Sequence, residues 1–222
     1  MAQPAFKLDW QQIDTVLVDM DGTLLDLAFD NHFWLELVPT SYAARHGLSI
    51  DEARERLRPR FDGVAGTLAW YCIDHWSREL ALDIKAMKHD QRHLIRFLPR
   101  APEFLAAIRE RGKQLWIVTN AHRDTFAVKA ARTGIGELVD RVVCSHDLDA
   151  PKESGDFWRR LQAAHFFDPQ RTLLVEDSVA VLAAARAHGV QHTVAIRRPD
   201  SALPPRAIVD FPAVDGVADL LG

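Results

Sequence analysis

The sequence predicts an α/β protein, a doubly wound parallel sheet of Rossmann-like design whose first strand is followed by an all-helical insert. Three observations predict it. Short apolar runs rich in β-branched residues recur along the chain, a helix-like stretch precedes each of the later runs, and residues 28–97 contain no clear strand pattern. With 48% hydrophobic and 26% charged residues among 222, the chain has the composition of a packed globular protein, which excludes the disordered and fibrous classes.

Thr15, Val16, Leu17 and Val18, ended by Asp-Met-Asp-Gly, read as a strand buried on both faces. The stretch from about Leu27 to about Leu98 is too long for a structureless loop and is expected to be helical. Its first helix carries Phe33, Leu37 and Val38 inward and ends at Gly47, with Arg45 and His46 against the negative end of the helix dipole. Ser49 and Glu52 have the spacing of a capping box and start a second helix. A third is expected from about Thr67 to Leu80, with Ile73, Trp76 and Leu80 at helical spacing. Phe104, Leu105 and Ile108 then mark a helix that stops at Gly112 and feeds the strand LWIV before Thr119. VVC at 142–144, LLV before Glu176 and HTVAI at 192–196 complete the predicted sheet. Residues 1–27 and 98–222 are therefore expected to form an α/β core and residues 28–97 a helical cap domain.

A formal net charge of -4 and a pI near 6.2 give no attraction to a nucleic-acid backbone or an anionic membrane, so neither is expected as a partner. A small anionic substrate must then be held by a local site. Cys72 and Cys144 form no CxxC pair and read as buried thiols in a reducing compartment. The opening MAQPAFKLDWQQIDT has no apolar leader-like region, and no later run approaches the roughly 20 apolar residues of a membrane span, so a cytoplasmic protein is expected.

Asp19 and Asp21 stand two apart at a strand end, which projects both carboxylates to one side while Met20 turns into packing. Gly22 lets the chain turn with its backbone amides near an anion, and Thr23 adds a hydroxyl. An acidic Asp-Gly turn is the ordinary alternative. Three further polar signals follow later strands: Thr119 with Asn120, Lys152, and Glu176 with Asp177. Thr119 and Asn120 offer donors to a phosphate oxygen, Lys152 offers positive charge, and the adjacent carboxylates suit a hard cation such as magnesium. Each has a plain alternative, namely a strand boundary, a solvated lysine and a helix cap. Four such signals in order at successive strand ends converge on one crevice, the place where open α/β sheets bind ligands.

With these residues in view, the chain resembles the haloacid dehalogenase-like hydrolase superfamily, whose four motifs match Asp19 to Thr23, Thr119, Lys152, and Glu176 with Asp177. The resemblance implies that Asp19 is a nucleophile forming an aspartyl-phosphate and that Asp21 is the general acid and base. It implies that Thr119, Asn120 and Lys152 hold the phosphoryl group. Magnesium would be bound by Asp19, the Asp21 backbone carbonyl and Asp177, with Glu176 orienting Lys152 or a metal-bound water. The superfamily's dehalogenases lack the second aspartate, so Asp21 favours phosphoryl chemistry. Two departures are Val181, where many relatives have glycine, and Leu27, where relatives often have Ser or Thr. Within the superfamily, DMDGTLLDLAFDNHFW, LAWYCIDHWSRELALDI, VTNAH, FAVKAARTG and APKES are similar to the bacterial GMP/IMP nucleotidases, which implies a purine nucleoside monophosphate as substrate. Trp34, Trp70 and Tyr71 of the insert are then candidates for stacking on a base, whereas Trp76 fits better as core.

The motif residues do not encode the leaving group, so a sugar-phosphate or phosphoglycolate phosphatase, or a phosphomutase, is the nearest rival. A phospho-receiver signalling module uses the same residue types, but its acidic pair precedes its acceptor aspartate, the reverse of the order here. His89 and His93 imitate a helical zinc pair but lack the required glutamate and a third ligand. Arg54, Arg56, Arg58 and Arg60 read as a solvated helix face, and His122 as an ordinary loop histidine within reach of the crevice.

Overall fold

The computed structural model describes residues 8–222; the first seven residues of the expected core segment 1–27, and of the opening MAQPAFKLDWQQIDT, lie outside the described residues. Six strands form one wholly parallel sheet: β1 (Thr15–Val18), β2 (Gln114–Thr119), β3 (Arg141–Cys144), β4 (Thr172–Glu176), β5 (His192–Ile196) and β6 (Ala213–Val214), in the order β3-β2-β1-β4-β5-β6. β1 lies at the centre with all four residues buried, Val18 pairing Ile117 of β2 on one side and Val175 of β4 on the other. Later strands extend the sheet outward from this point in both directions, so the carboxyl ends of β1, β2 and β4 open onto one crevice. The two-residue β6 was not foreseen, because Ala-Val between Pro212 and Asp215 is too short to show a pattern.

Residues 28–94 are helical, but less regularly than expected. α1 (Ala28–His32) passes into a π-helical turn (Phe33–Leu37) before α2 (Val38–His46), which stops at the left-handed Gly47. Pro39 explains the widened turn, since it has no N–H to donate and its ring would clash with the Leu35 carbonyl of a continuous α-helix. Phe33 and Val38 are buried as expected, whereas the extra residue in the turn leaves Leu37 only half-buried. The capping box forms: the Glu52 amide donates to Ser49 Oγ at 3.3 Å and the Ser49 amide to the Glu52 carboxylate at 2.8 Å, starting α3 (Ile50–Asp62). Arg54, Arg56 and Arg58 are exposed on it, and Arg60 reaches Glu79.

The single third helix is a correction. The chain breaks at the extended Cys72 into α4 (Leu68–Tyr71) and α5 (Ile73–Leu80). Trp76 supplies the reason: its buried indole N–H donates to the Trp70 carbonyl at 2.7 Å, the acceptor that a continuous helix would have given to the Asp74 amide. Cys72 at the break is half-buried, Cys144 is buried, and both are free thiols. α6 (Ile84–Asp90) follows, capped by Asp83. Phe33, Val38, Tyr42, Leu57, Ile73, Trp76, Leu80 and Ile84 close an apolar cluster of the lobe's own. Trp76→Ala is expected to destabilise it by about 3–5 kcal/mol, read as a lower urea midpoint; an unchanged midpoint would refute this packing role.

The chain leaves the sheet and returns to it at one place. Segments 24–26 and 96–98 pair antiparallel, with the Asp26 amide donating to the Arg96 carbonyl at 3.0 Å and the Leu98 amide to the Leu24 carbonyl at 2.8 Å. Beyond them α7 (Ala101–Glu110) and α8 (Arg123–Thr133) cover the sheet face that carries Val16, Val18 and Ile117. On the opposite face α9 (Gly155–Ala164) and α10 (Val179–His188) pack on Leu17, Trp116 and Leu174. Alternate residues of β1 thus feed two cores, the doubly wound arrangement expected. Among the described residues no helix is long and apolar enough to cross a membrane.

Candidate active site

Asp19 follows β1 and is 5% exposed, its amide donating to the Val175 carbonyl at 2.9 Å, while Met20 turns into the core. Gly22 adopts φ +83°, and a Cβ there would meet Asp177 Cγ and Pro199 Cβ at 2.9 Å, so only glycine lets the turn pass this close to the β4 end. Its amide is not free for an anion, however, because it donates to the Leu25 carbonyl at 2.7 Å. The Thr23 hydroxyl is fully buried without a hydrogen-bond partner, and Thr23 does not line the cavity.

Lys152 is the hub. Its buried Nζ donates to Asp19 Oδ1 at 2.5 Å, to Glu176 Oε2 at 2.6 Å and to the Val118 carbonyl at 3.0 Å, which uses all three ammonium protons. Burial opposes its charge, but Asp19 and Glu176 outweigh burial and raise its pKa. Asn120 fixes the loop that carries it: Asn120 Oδ1 accepts from the Lys152 amide at 2.9 Å and Nδ2 donates to Glu153 at 3.0 Å. Trp158 adds a bond from its indole N–H to the Lys152 carbonyl at 2.8 Å. Thr119 Oγ1 accepts from the Ala121 amide at 3.0 Å, which leaves the hydroxyl proton for a ligand.

Asp19, Glu176 and Asp177 bring carboxylate oxygens within 4.8 Å of one another, the one cluster of three or more metal-competent side chains among the described residues. Burial, then the charge of Glu176, pushes Asp19 up to about 8. Burial pushes Glu176 to about 7 and, together with Asp19, pushes Asp177 to about 6. Two of the three crowded carboxylates, Asp19 and Glu176, share one buried lysine, and Arg206 reaches Asp177 Oδ2 at 3.4 Å from the surface. This all-oxygen, negatively biased set fits a hard divalent cation. His89 and His93 do not make a second centre: both are exposed, and α6 ends between them at Asp90.

Above this floor lies a cavity of about 410 Å³ roofed by the helical lobe. Trp34, Phe61, Trp70 and Tyr71 line it, with Leu27 and Val181 at its side. Trp70 is 36% exposed, whereas Trp76 is 1% exposed and serves as core. Tyr71 is tied down, its hydroxyl donating to Glu153 Oε1 at 2.5 Å and joining lobe to sheet. His122 caps α8, 3.8 Å from Asp74 of the lobe.

Sequence reasoning missed the partners of Asp21. Lys129 of α8 donates to Asp21 Oδ1 and to Asp30 Oδ2, both at 2.5 Å, and Lys88 of α6 donates to Asp30 Oδ1 at 2.9 Å. The structure shows why they were missed: Thr125 and Lys129, four apart, are the buried positions of α8, so that helix turns a polar stripe inward where sequence spacing alone reads a solvated lysine.

Fold and site define a hydrolase with an α/β core, an acidic metal-competent centre at the ends of β1 and β4, and a helical roof. A family model described as haloacid dehalogenase-like hydrolase matches residues 13–189, and the chain belongs to that family. It is 39% identical over 215 residues to the GMP/IMP nucleotidase YrfG of Escherichia coli (strain K12), covering 97% of both chains. It is 28% identical over 188 residues to the pyrophosphatase PpaX of Bacillus velezensis, covering 82% of each. Among solved structures, a HAD phosphatase from Thermococcus onnurineus superposes with a TM-score of 0.76 at 24% identity, over 94% of this chain and 96% of that one, and shares the fold.

Proposed function

We propose that the protein is a magnesium-dependent phosphomonoester hydrolase acting on purine nucleoside 5′-monophosphates, GMP and IMP foremost, through a phosphate ester on Asp19. The observation that carries the chemistry is the Lys152 clamp, which holds a buried aspartate at 2.5 Å beside two further carboxylates beneath a cavity. The extended similarity to the E. coli nucleotidase supports the substrate. The cavity lies within the roughly 300–1,000 Å³ of small-molecule sites, and its aromatic roof suits a base better than a polyol. In this reading residues 1–27 and 98–222 are the catalytic core and residues 28–97 are the cap that selects the leaving group.

Asp19 attacks phosphorus, the bond from phosphorus to the ribose 5′ oxygen breaks, and Asp21 gives that oxygen a proton. Asp21 then takes a proton from the water that attacks the aspartyl-phosphate, releasing phosphate and restoring Asp19. Lys152 offsets charge on the phosphoryl oxygens and on Asp19, and the Thr119 hydroxyl donates to the phosphoryl group. Asn120 acts chiefly by holding the Lys152 loop, its two amide ends being engaged. When bound, magnesium supplies further positive charge to the phosphoryl oxygens; Asp19, Asp177 and the Asp21 backbone carbonyl are the groups that would hold it, and Glu176 orients Lys152. The seated cap excludes bulk water, and Trp34 and Trp70 offer faces or edges to the base.

A phosphate-release panel tests the substrate. GMP and IMP should exceed phosphoglycolate and sugar phosphates in kcat/KM, and equal or better turnover of the latter would reject the purine reading. Trp70→Ala should raise KM for GMP about 10-fold, as expected for the loss of one base–aromatic stack, and leave kcat nearly unchanged.

A further inference from the structure

The buried charges around Asp21 form a line that crosses from core to lobe: Asp21, Lys129, Asp30, Lys88. Asp21 and Lys129 belong to the core, the latter on α8; Asp30 and Lys88 belong to the lobe, on α1 and α6. Both lysines are almost wholly enclosed, and Lys88 lies 4.3 Å from the Phe33 ring centroid and 5.0 Å from that of Phe29. With Asp21 ionised, as after it has given up its proton, two cations and two anions cancel, and the line is uncompensated once any member is lost. Buried ion pairs of this kind are commonly no more stable than apolar side chains of similar volume. Packing alone therefore gives weak reason to build four charges into this junction.

Lys129 grips Asp21 by a single carboxylate oxygen, and the Asp21 side chain remains 21% exposed while lining the cavity. A general acid must present an oxygen to the leaving group in one orientation, and a carboxylate held at one oxygen is restricted in that way. Lys129 is in turn held by Asp30, whose position depends on the lobe being seated. We propose that Lys129 is a positioning residue for Asp21 and that the Asp30–Lys88 pair makes this positioning conditional on closure of the helical lobe over the core. The inference rests on the reading of Asp21 as general acid in phosphoenzyme formation.

Leaving-group dependence separates positioning from mere stability. A ribose alkoxide needs a proton to depart, whereas the nitrophenolate of p-nitrophenyl phosphate leaves without one. The kcat/KM ratio covers only steps through phosphoenzyme formation, so it isolates the acid's part. Lys129→Met is expected to lower kcat/KM for GMP by roughly 10- to 100-fold and that for p-nitrophenyl phosphate by less than about 3-fold. Asp30→Asn, which keeps the volume, should show the same pattern more weakly, and it carries the test if Lys129→Met does not fold, as judged by its melting curve. An equal fall for both substrates in a folded variant overturns the proposal. Asp21→Asn, measured alongside, separates the two levels: if Asp21→Asn discriminates between the substrates and Lys129→Met does not, only the positioning role fails. If Asp21→Asn lowers both equally, the acid reading fails and takes the proposal with it.

Discussion

Asp19→Asn is expected to reduce phosphate release by on the order of 10⁴-fold or more while making the metal-free protein more heat-stable at neutral pH. The two effects share one cause. Asp19 is a buried carboxylate whose pKa is pushed up to about 8 by burial and by Glu176, so keeping it ionised at pH 7 works against folding. Asparagine removes that burden, and its amide oxygen still accepts from Lys152 Nζ. It cannot form the ester, however, because an amide oxygen is a poor nucleophile. Phosphate release and a melting curve in chelator check both halves. Normal turnover by the variant would dispose of Asp19 as nucleophile, and a lower melting temperature would dispose of the electrostatic account.

Removing divalent metal should stop turnover by at least about 10³-fold and expose a pH dependence with a definite sign. Asp19, Glu176 and Asp177 rise from ordinary values of 3.8, 4.5 and 3.8 to about 8, 7 and 6. Between those limits the folded protein binds more protons than the unfolded chain. The contribution of these groups to stability is therefore complete below about pH 4 and is lost as the pH climbs to about 8. The melting-temperature gap between Asp19→Asn and the parent isolates the largest share, and it should widen over this range. Magnesium should raise the parent's melting temperature more at pH 8 than at pH 5, since at the lower pH it competes with protons. A gap that narrows with pH, or an increment that shrinks, contradicts the shared carboxylate site.

What the sequence disclosed and what it hid divide along physical lines. A strand buried on both faces must be apolar throughout, so TVLV, LWIV and LLV announced themselves, and the residues after them fell at the mouth of the crevice. Asp19, Thr119, Glu176 and Asp177 were legible because each is written at the end of such a run, and Lys152 because it follows the next strand, VVC, in the order the other signals set. Lys129, Asp30 and Lys88 were not, because a lysine on a helix reads as solvated and its acceptor here lies 108 residues away. The break at Cys72 was invisible for a similar reason: spacing reports which face is apolar, not that a tryptophan N–H will claim a backbone carbonyl. Asn120 was found as a site residue and lines the cavity, but its structural work, Oδ1 and one Nδ2 proton fixing the Lys152 loop, was not visible. Only coordinates separate a donor aimed at a ligand from one aimed at a neighbouring loop.

The paired segments 24–26 and 96–98 give the lobe a single doorway into the sheet. The strand order, the Lys152 clamp and the acidic cluster are all built from residues outside the stretch between Leu25 and Phe97. If the lobe selects the leaving group as proposed, one such module can be exchanged for another without rebuilding the residues at the strand ends. The Lys129–Asp30 and Tyr71–Glu153 contacts are exceptions, places where module and chassis must change together.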